Sequence, residues 1–154
     1  MRVSEIMTEA TVTDRPEDTV AEAARKMWEQ QTGSLLVVDG DELIGIITER
    51  DVLKAVATGI DLQVTKVVDV MGKDPITVHA GSTLREAAKI MADNWIRHLP
   101  VVQDGKLVGV LSQRDLAGVL AGALNEPKAL EQLVDASSLA REKRLKRIEK
   151  GVWD

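Results

Sequence analysis

Slid against itself by 64 positions, the chain matches without a gap. Met7 falls on Met71, Thr13 on Thr77, Thr19 on Thr83, and Glu22-Ala23-Ala24 on Glu86-Ala87-Ala88. The same frame carries Met27 onto Met91, Leu35 onto Leu99, Val37-Val38 onto Val101-Val102, and Leu43 onto Leu107. It ends by placing Gly45 on Gly109 and Arg50-Asp51 on Arg114-Asp115. One register held over about fifty positions is a duplication rather than chance matching of common residues. A unit of about sixty residues is marginal alone, so two copies are expected to pack together around a shared core. The boundaries read as 1–62 for the first copy, 63–124 for the second, and 125–154 for a charged helical tail.

Each copy carries the same order of local signals. A short apolar start, Ile6-Met7 or Val70-Met71, leads to a brief extended stretch, Thr11-Val12-Thr13 or Pro75-Ile76-Thr77-Val78. Pro75 biases Asp74 away from helix. A helix follows, capped by Asp18 or Thr19 in the first copy and by Ser82 or Thr83 in the second. Its apolar stripe is Val20, Ala23, Ala24 and Met27, repeated as Leu84, Ala87, Ala88 and Met91. Leu35 to Val38 and Leu43 to Ile47 read as a hairpin turned at Asp39-Gly40-Asp41. The second copy repeats this with Leu99 to Val102, a turn at Asp104-Gly105, and Leu107 to Leu111. A second helix runs from about Glu49 to Ala57 and from about Gln113 to Ala121, with Gly59 to Thr65 as linker. The fold class is α/β (α+β), two β-α-β-β-α units plus a C-terminal helical tail.

Composition narrows the function. The chain has no Cys, which excludes disulfides, zinc-thiolate sites and a thiol nucleophile. Phe and Tyr are absent, so the core must be built from Val, Ile, Leu, Met and Ala. A net charge of -5 argues against a surface devoted to nucleic acid. The opening Met1-Arg2-Val3-Ser4-Glu5 has an acid too early for a secretory signal, and no stretch approaches a membrane span. The expectation is a cytoplasmic protein with no membrane contact. His79 and His98 occupy different contexts without a Ser-His-Asp or metal-ligand pattern, so the sequence points to a binding protein rather than an enzyme.

The strand-to-helix junction holds the chemistry. It reads Gly45-Ile46-Ile47-Thr48-Glu49-Arg50-Asp51, and again Gly109-Val110-Leu111-Ser112-Gln113-Arg114-Asp115. A hydroxyl followed three residues later by an acid is a capping box, which satisfies the free amides of a helix start. The same geometry suits a ligand, because a helix start attracts phosphate and a carboxylate one turn in can accept ribose hydroxyls. Glycine three residues before the hydroxyl allows close approach to the backbone, by a ligand or by the neighbouring copy.

These pieces together resemble the cystathionine-β-synthase (CBS) domain, and the pair is similar to the tandem arrangement called a Bateman module. The resemblance covers about residues 1–122. It rests on the apolar-Met start, the Glu-Ala-Ala helix, the Leu-Leu-Val-Val and Leu-Pro-Val-Val strands, and the Gly-x-x-Thr/Ser-x-x-Asp junction. It implies a pseudo-twofold pair with clefts between the copies that take AMP, ADP, ATP or S-adenosylmethionine as regulatory ligand, with no cofactor required. By the same resemblance, Thr48 with Asp51, and Ser112 with Asp115, hold ribose and phosphate. Val12 with Thr13, and Ile76 with Thr77, line the adenine pocket. The segments entering the central strands also line the clefts: Gly33, Ser34 and Leu35 in one copy, and Arg97, His98, Leu99 and Pro100 in the other. Arg50 and Arg114 are candidates for phosphate contact or for pairing with acids in solvent. Arg97 and His98 replace Gly33 and Ser34, and adjacent cations suit phosphoryl oxygens, so the second copy is the expected site of a phosphorylated ligand.

The resemblance further implies a homodimer and an unknown regulated protein, since the thirty residues after the pair are too few for a catalytic domain. The alternative is an interaction or dimerisation scaffold with vestigial clefts. The tail would then matter more: residues 126–150 read as helix with Pro127 in the first turn, and Arg141 to Lys150 is mainly basic. That basic stretch permits, but does not demand, a nucleic-acid contact.

Overall fold

The computed structural model describes residues 1–9 and 12–123, together with Leu145, Lys146 and Lys150. The tail read as helical, with Pro127 and Trp153, otherwise lies outside the described residues. The first copy contributes β1 (Thr8–Glu9), β2 (Thr13–Asp14), α1 (Val20–Gln30), β3 (Ser34–Asp39), β4 (Glu42–Thr48) and α2 (Glu49–Ala57). The second contributes α3 (Val67–Val70), β5 (Gly72–Lys73), β6 (Val78–His79), α4 (Leu84–Asn94), β7 (His98–Gln103), β8 (Lys106–Ser112) and α5 (Gln113–Ala123). A single 3-10 turn at Val3–Glu5 occupies in the first copy the place of α3 in the second.

Both first helices start at the threonine rather than at the residue before it. Thr19 accepts from the Glu22 amide while the Glu22 carboxylate accepts from the Thr19 amide, at 3.2 and 2.8 Å. Thr83 and Glu86 repeat this at 3.3 and 2.7 Å. These boxes satisfy amides that the helix itself leaves open. Most of each apolar stripe then faces inward, with Val20, Ala23 and Ala87 fully buried and Met27 and Met91 nearly so, while Ala88 stays exposed.

The sheets do not follow the sequence boundary between the copies. One sheet has the order β2-β3-β4-β5 and the other β1-β8-β7-β6. The strand that opens the chain thus pairs antiparallel with β8, Thr8 opposite Val110. The strand that opens the second copy pairs with β4, Gly45 opposite Lys73. The core accordingly forms two clusters, each completed by the other copy. Val3, fully buried, joins Val78, Ala87, Met91, Leu99 and Leu111. Val67 and Met71 join Val20, Met27, Leu35, Val37 and Ile47. Full burial of a Val or Leu side chain contributes about 1.5–3 kcal/mol, so this crossing of the chain ties the copies together through apolar burial.

The crossing explains the repeated glycine. A Cβ at Gly45 would lie 2.8 Å from the Gly72 carbonyl oxygen and would collide with the Met71 sulfur. A Cβ at Gly109 would lie 2.6 Å from the Thr8 carbonyl oxygen and 2.9 Å from the Met7 sulfur. Of the two roles left open for this glycine, packing against the neighbouring copy is the one the structure adopts. The apolar-Met start and the glycine are two halves of one contact.

One buried polar group breaks the symmetry of the cores. Asp14 is fully buried, and its carboxylate is met by the Lys26 ammonium, which also reaches Asp18 at 3.1 Å. Burial pushes the Asp14 carboxyl up, and Lys26 offsets this only in part. The positions matching Asp14, Asp18 and Lys26 are Val78, Ser82 and Ile90, so the second copy has no such cluster.

Candidate functional site

The two junctions are built as capping boxes. The Thr48 amide and hydroxyl both donate to Asp51 Oδ2, at 2.8 and 2.9 Å, and the Asp51 amide donates back at 3.4 Å. Ser112 and Asp115 repeat this at 2.7, 2.7 and 3.3 Å. Each aspartate uses one oxygen for the helix start. Its Oδ1 has no hydrogen-bond partner among the described residues, and both side chains are half-buried. A ligand hydroxyl can therefore be accepted without dismantling the cap.

The segments before the central strands are held against these helix starts. Both first helices end in a left-handed residue, Gln31 at φ 53° and Trp95 at φ 57°, which turns the chain back toward its strand. The Gly33 carbonyl then accepts from the Glu49 amide at 3.0 Å. The Arg97 carbonyl accepts from the Gln113 amide at 2.8 Å. Each loop is thus fixed to the first turn of the following helix. Pro100 fits within β7 because the ladder to β6 begins only at Val101, so its missing N–H falls outside that ladder.

A cleft of about 1580 Å³ opens where the helices of the two copies converge. From the second copy it gathers Arg97, His98, Ser112, Arg114 and Asp115. From the first it takes Gly33, Ser34 and Arg50. Its apolar wall comes from α1, α4 and α5, with Met27, Trp28, Met91, Leu116 and Leu120, and from Trp95 just past the end of α4. Thr48 and Asp51 do not line this cleft, nor do Val12, Thr13, Ile76 and Thr77. Thr13 lies in β2, whereas Thr77 and the exposed Ile76 precede β6 rather than lying in a strand. The side chains of Leu35, Leu99 and Pro100 are buried, the two leucines within the apolar cores. They position the lining and do not form it.

The reading of Arg97 and His98 as two adjacent cations needs correction. His98 is half-buried in β7, and burial, with the Arg97 charge beside it, holds its imidazole below the ordinary value. It is largely neutral at neutral pH. Arg97 is exposed and already occupied, its guanidinium donating to the Glu49 carboxylate at 2.9 Å across the boundary between the copies. Sequence reasoning missed Glu49. The two residues lie 48 positions apart, and only the convergence of α2 with the loop before β7 makes them neighbours. The signal in the sequence was the mismatch at this position, Glu49 against Gln113. His79 lies away from the cleft and accepts from the Gly81 amide at 3.0 Å, closing the turn before α4. No group of three or more His, Asp or Glu among the described residues is arranged to hold a metal ion. No helix among them is long and apolar enough to cross a membrane.

The profile of the CBS domain matches residues 3–58 and 67–122, the two copies in turn. The chain belongs to the CBS-domain family. An uncharacterised 17.7 kDa protein of Acidianus ambivalens is 43% identical over 122 residues, 77% of this chain and 73% of that one. The CBS domain protein PAE2072 from Pyrobaculum aerophilum, solved complexed with AMP, superposes with a TM-score of 0.72 at 30% identity. That match covers 88% of this chain and 99% of that one. The CBS domain pair of protein MJ0100, solved with 5'-methylthioadenosine and S-adenosyl-L-methionine, gives a TM-score of 0.73 at 27% identity, covering 80% and 98%. The matched stretch spans 21% to 73% of the length of three curated relatives, so the CBS pair is also found within longer proteins.

Proposed function

We propose that this CBS pair is a regulatory module that binds an adenosine-bearing ligand in the cleft between its copies and passes its occupancy to a partner protein. The observation that carries this reading is the cleft itself. Arg97, Arg114, Ser112 and Asp115 line it together with an apolar wall that includes two tryptophans, and the cap leaves one Asp115 oxygen free. Apolar walls with a few convergent polar groups suit a nucleoside, and guanidinium groups suit its phosphates. The solved relatives with AMP, or with 5'-methylthioadenosine and S-adenosylmethionine, support the ligand class. The capping pair of the second junction, Ser112 and Asp115, lines the cleft, whereas that of the first, Thr48 and Asp51, does not, which supports the second copy as the phosphate-binding side. The module acts by binding rather than by catalysis, and it works in the cytoplasm as a homodimer. Its dimer surface is the helical face, where Leu53 and Val56 remain exposed on α2.

A ligand shifts such a module only by its different affinity for two states. Isothermal calorimetry with AMP, ADP, ATP and S-adenosylmethionine tests the reading. Binding of at least one of them is expected, with Asp115→Ala weakening it about tenfold or more, the loss of a charge-assisted hydrogen bond, and Asp51→Ala much less. No heat and no thermal shift with any of the four at millimolar concentration overturns the function. The reverse ranking of the two aspartates overturns the choice of site.

A further inference from the structure

The contact between Arg97 and Glu49 bridges the two copies on one side of their pseudo-twofold relation and not on the other. The matching positions are Gly33 and Gln113, which carry neither a guanidinium nor a carboxylate. Gly33 does more than leave the place empty. A Cβ there would stand 3.3 to 3.4 Å from the Glu49 carboxyl group, so the glycine leaves room for that carboxylate beside the loop. The Glu49 amide is already held by the Gly33 carbonyl at 3.0 Å, which fixes the base of the side chain. Its carboxylate then projects to Arg97, and both residues line the cleft.

Among the described residues, three guanidinium groups, from Arg50, Arg97 and Arg114, line this cleft with two carboxylates, Glu49 and Asp115. Asp115 is engaged by the cap of α5. Glu49 meets Arg97 through one oxygen and one nitrogen, and their side chains are 58% and 47% exposed. An exposed single-point pair contributes little and exchanges readily. A phosphoryl group offers more acceptor oxygens to the same guanidinium and can bind it in a two-point geometry.

We propose that Glu49 is an internal stand-in for a ligand phosphate: it holds Arg97 when the cleft lacks an anion, and the phosphate of a nucleotide displaces it. Ligand charge, not the adenosine group, then breaks the tie between the copies. Glu49 thereby sets specificity, because a phosphorylated ligand must compete with it while an uncharged adenosine derivative need not. This rests on the adenosine-ligand reading above and adds the residue by which the cleft distinguishes charged from uncharged members of that class.

The test is calorimetry on the full chain with AMP and with uncharged 5'-methylthioadenosine, for the unaltered protein, Glu49→Gln, Arg97→Ala and the two substitutions combined. Glu49→Gln should tighten AMP about two- to fivefold, the worth of one exposed ion pair, and leave 5'-methylthioadenosine unchanged. Arg97→Ala should weaken AMP, and in that background Glu49→Gln should give no further gain. Glu49→Asp, which keeps the charge, should stay closer to the unaltered protein than Glu49→Gln. Equal tightening of AMP with and without Arg97 would mean simple repulsion by Glu49 and overturns the exchange. Equal effects on both ligands, or none on either, also overturn it while leaving the ligand class intact. Absence of binding by both ligands to all four proteins overturns this proposal, and the adenosine reading falls with it only if ADP, ATP and S-adenosylmethionine also fail to bind.

Discussion

His98 shows how one side chain can report on the cleft. Burial holds its imidazole below the usual value of 6.5, with Arg97 acting in the same direction. The folded protein therefore prefers the neutral ring. The unfolded chain takes up a proton first as the pH falls, so the stability associated with His98 is full above about pH 6.5. It is lost as the pH drops from there through the lower value of the folded state. His98→Asn should flatten the pH dependence of urea unfolding in that window and leave it unchanged near pH 8. An unaltered slope would show that the ring is not shielded as the structure places it. Asp14 is a second residue where environment overrides type. Its alternation in β2 matches Val78 in β6, and nothing in the sequence distinguishes a buried aspartate met by Lys26 from an exposed one.

At the scale of elements, the junction between strand and helix carries most of the local order. All four principal helices begin with a hydroxyl and an acid three residues apart, and this was legible because it needs only neighbours in sequence. The glycine before each junction was legible as special but not as to purpose. Its purpose depends on which strand lies beside it, and that strand comes from the other copy. Gly45→Ala and Gly109→Ala should each destabilise the protein by about 1–3 kcal/mol, the usual cost of overpacking a tight site. Chemical denaturation should show this, whereas Gly118→Ala on α5, where a Cβ would meet nothing, should be neutral or better. Neutral effects at both strand glycines would mean that β1 and β5 do not hold the methionines against them.

For the whole molecule, the exchange of opening strands makes the pair a single cooperative body. Neither 1–62 nor 63–124 contains a complete sheet, since β1 completes the sheet of the second copy and β5 that of the first. The surface left over is the helical face. Leu53 is 67% exposed and Val56 58%, two apolar side chains left uncovered on α2 outside the cleft. Two copies facing each other there would cover them. Light scattering at micromolar concentration should give twice the chain mass, and Leu53→Glu should reduce it to the monomer without loss of helical circular dichroism. A monomeric unaltered protein would remove the dimer.

The sequence alone determined the duplication, the order of elements and the caps, because each rests on periodicity or on residues within one helical turn. It also pointed to the junctions, the loops before the central strands, and their asymmetry at Arg97. The tertiary structure decided which strand lies beside which, and so which copy each opening segment completes. It decided that His98 is shielded and that Arg97 is held by Glu49, since burial and charge pairing depend on groups brought together from distant parts of the chain. The repeat makes the two copies look equivalent, but their packing joins the loop of one to the helix start of the other, and that contact is where they differ.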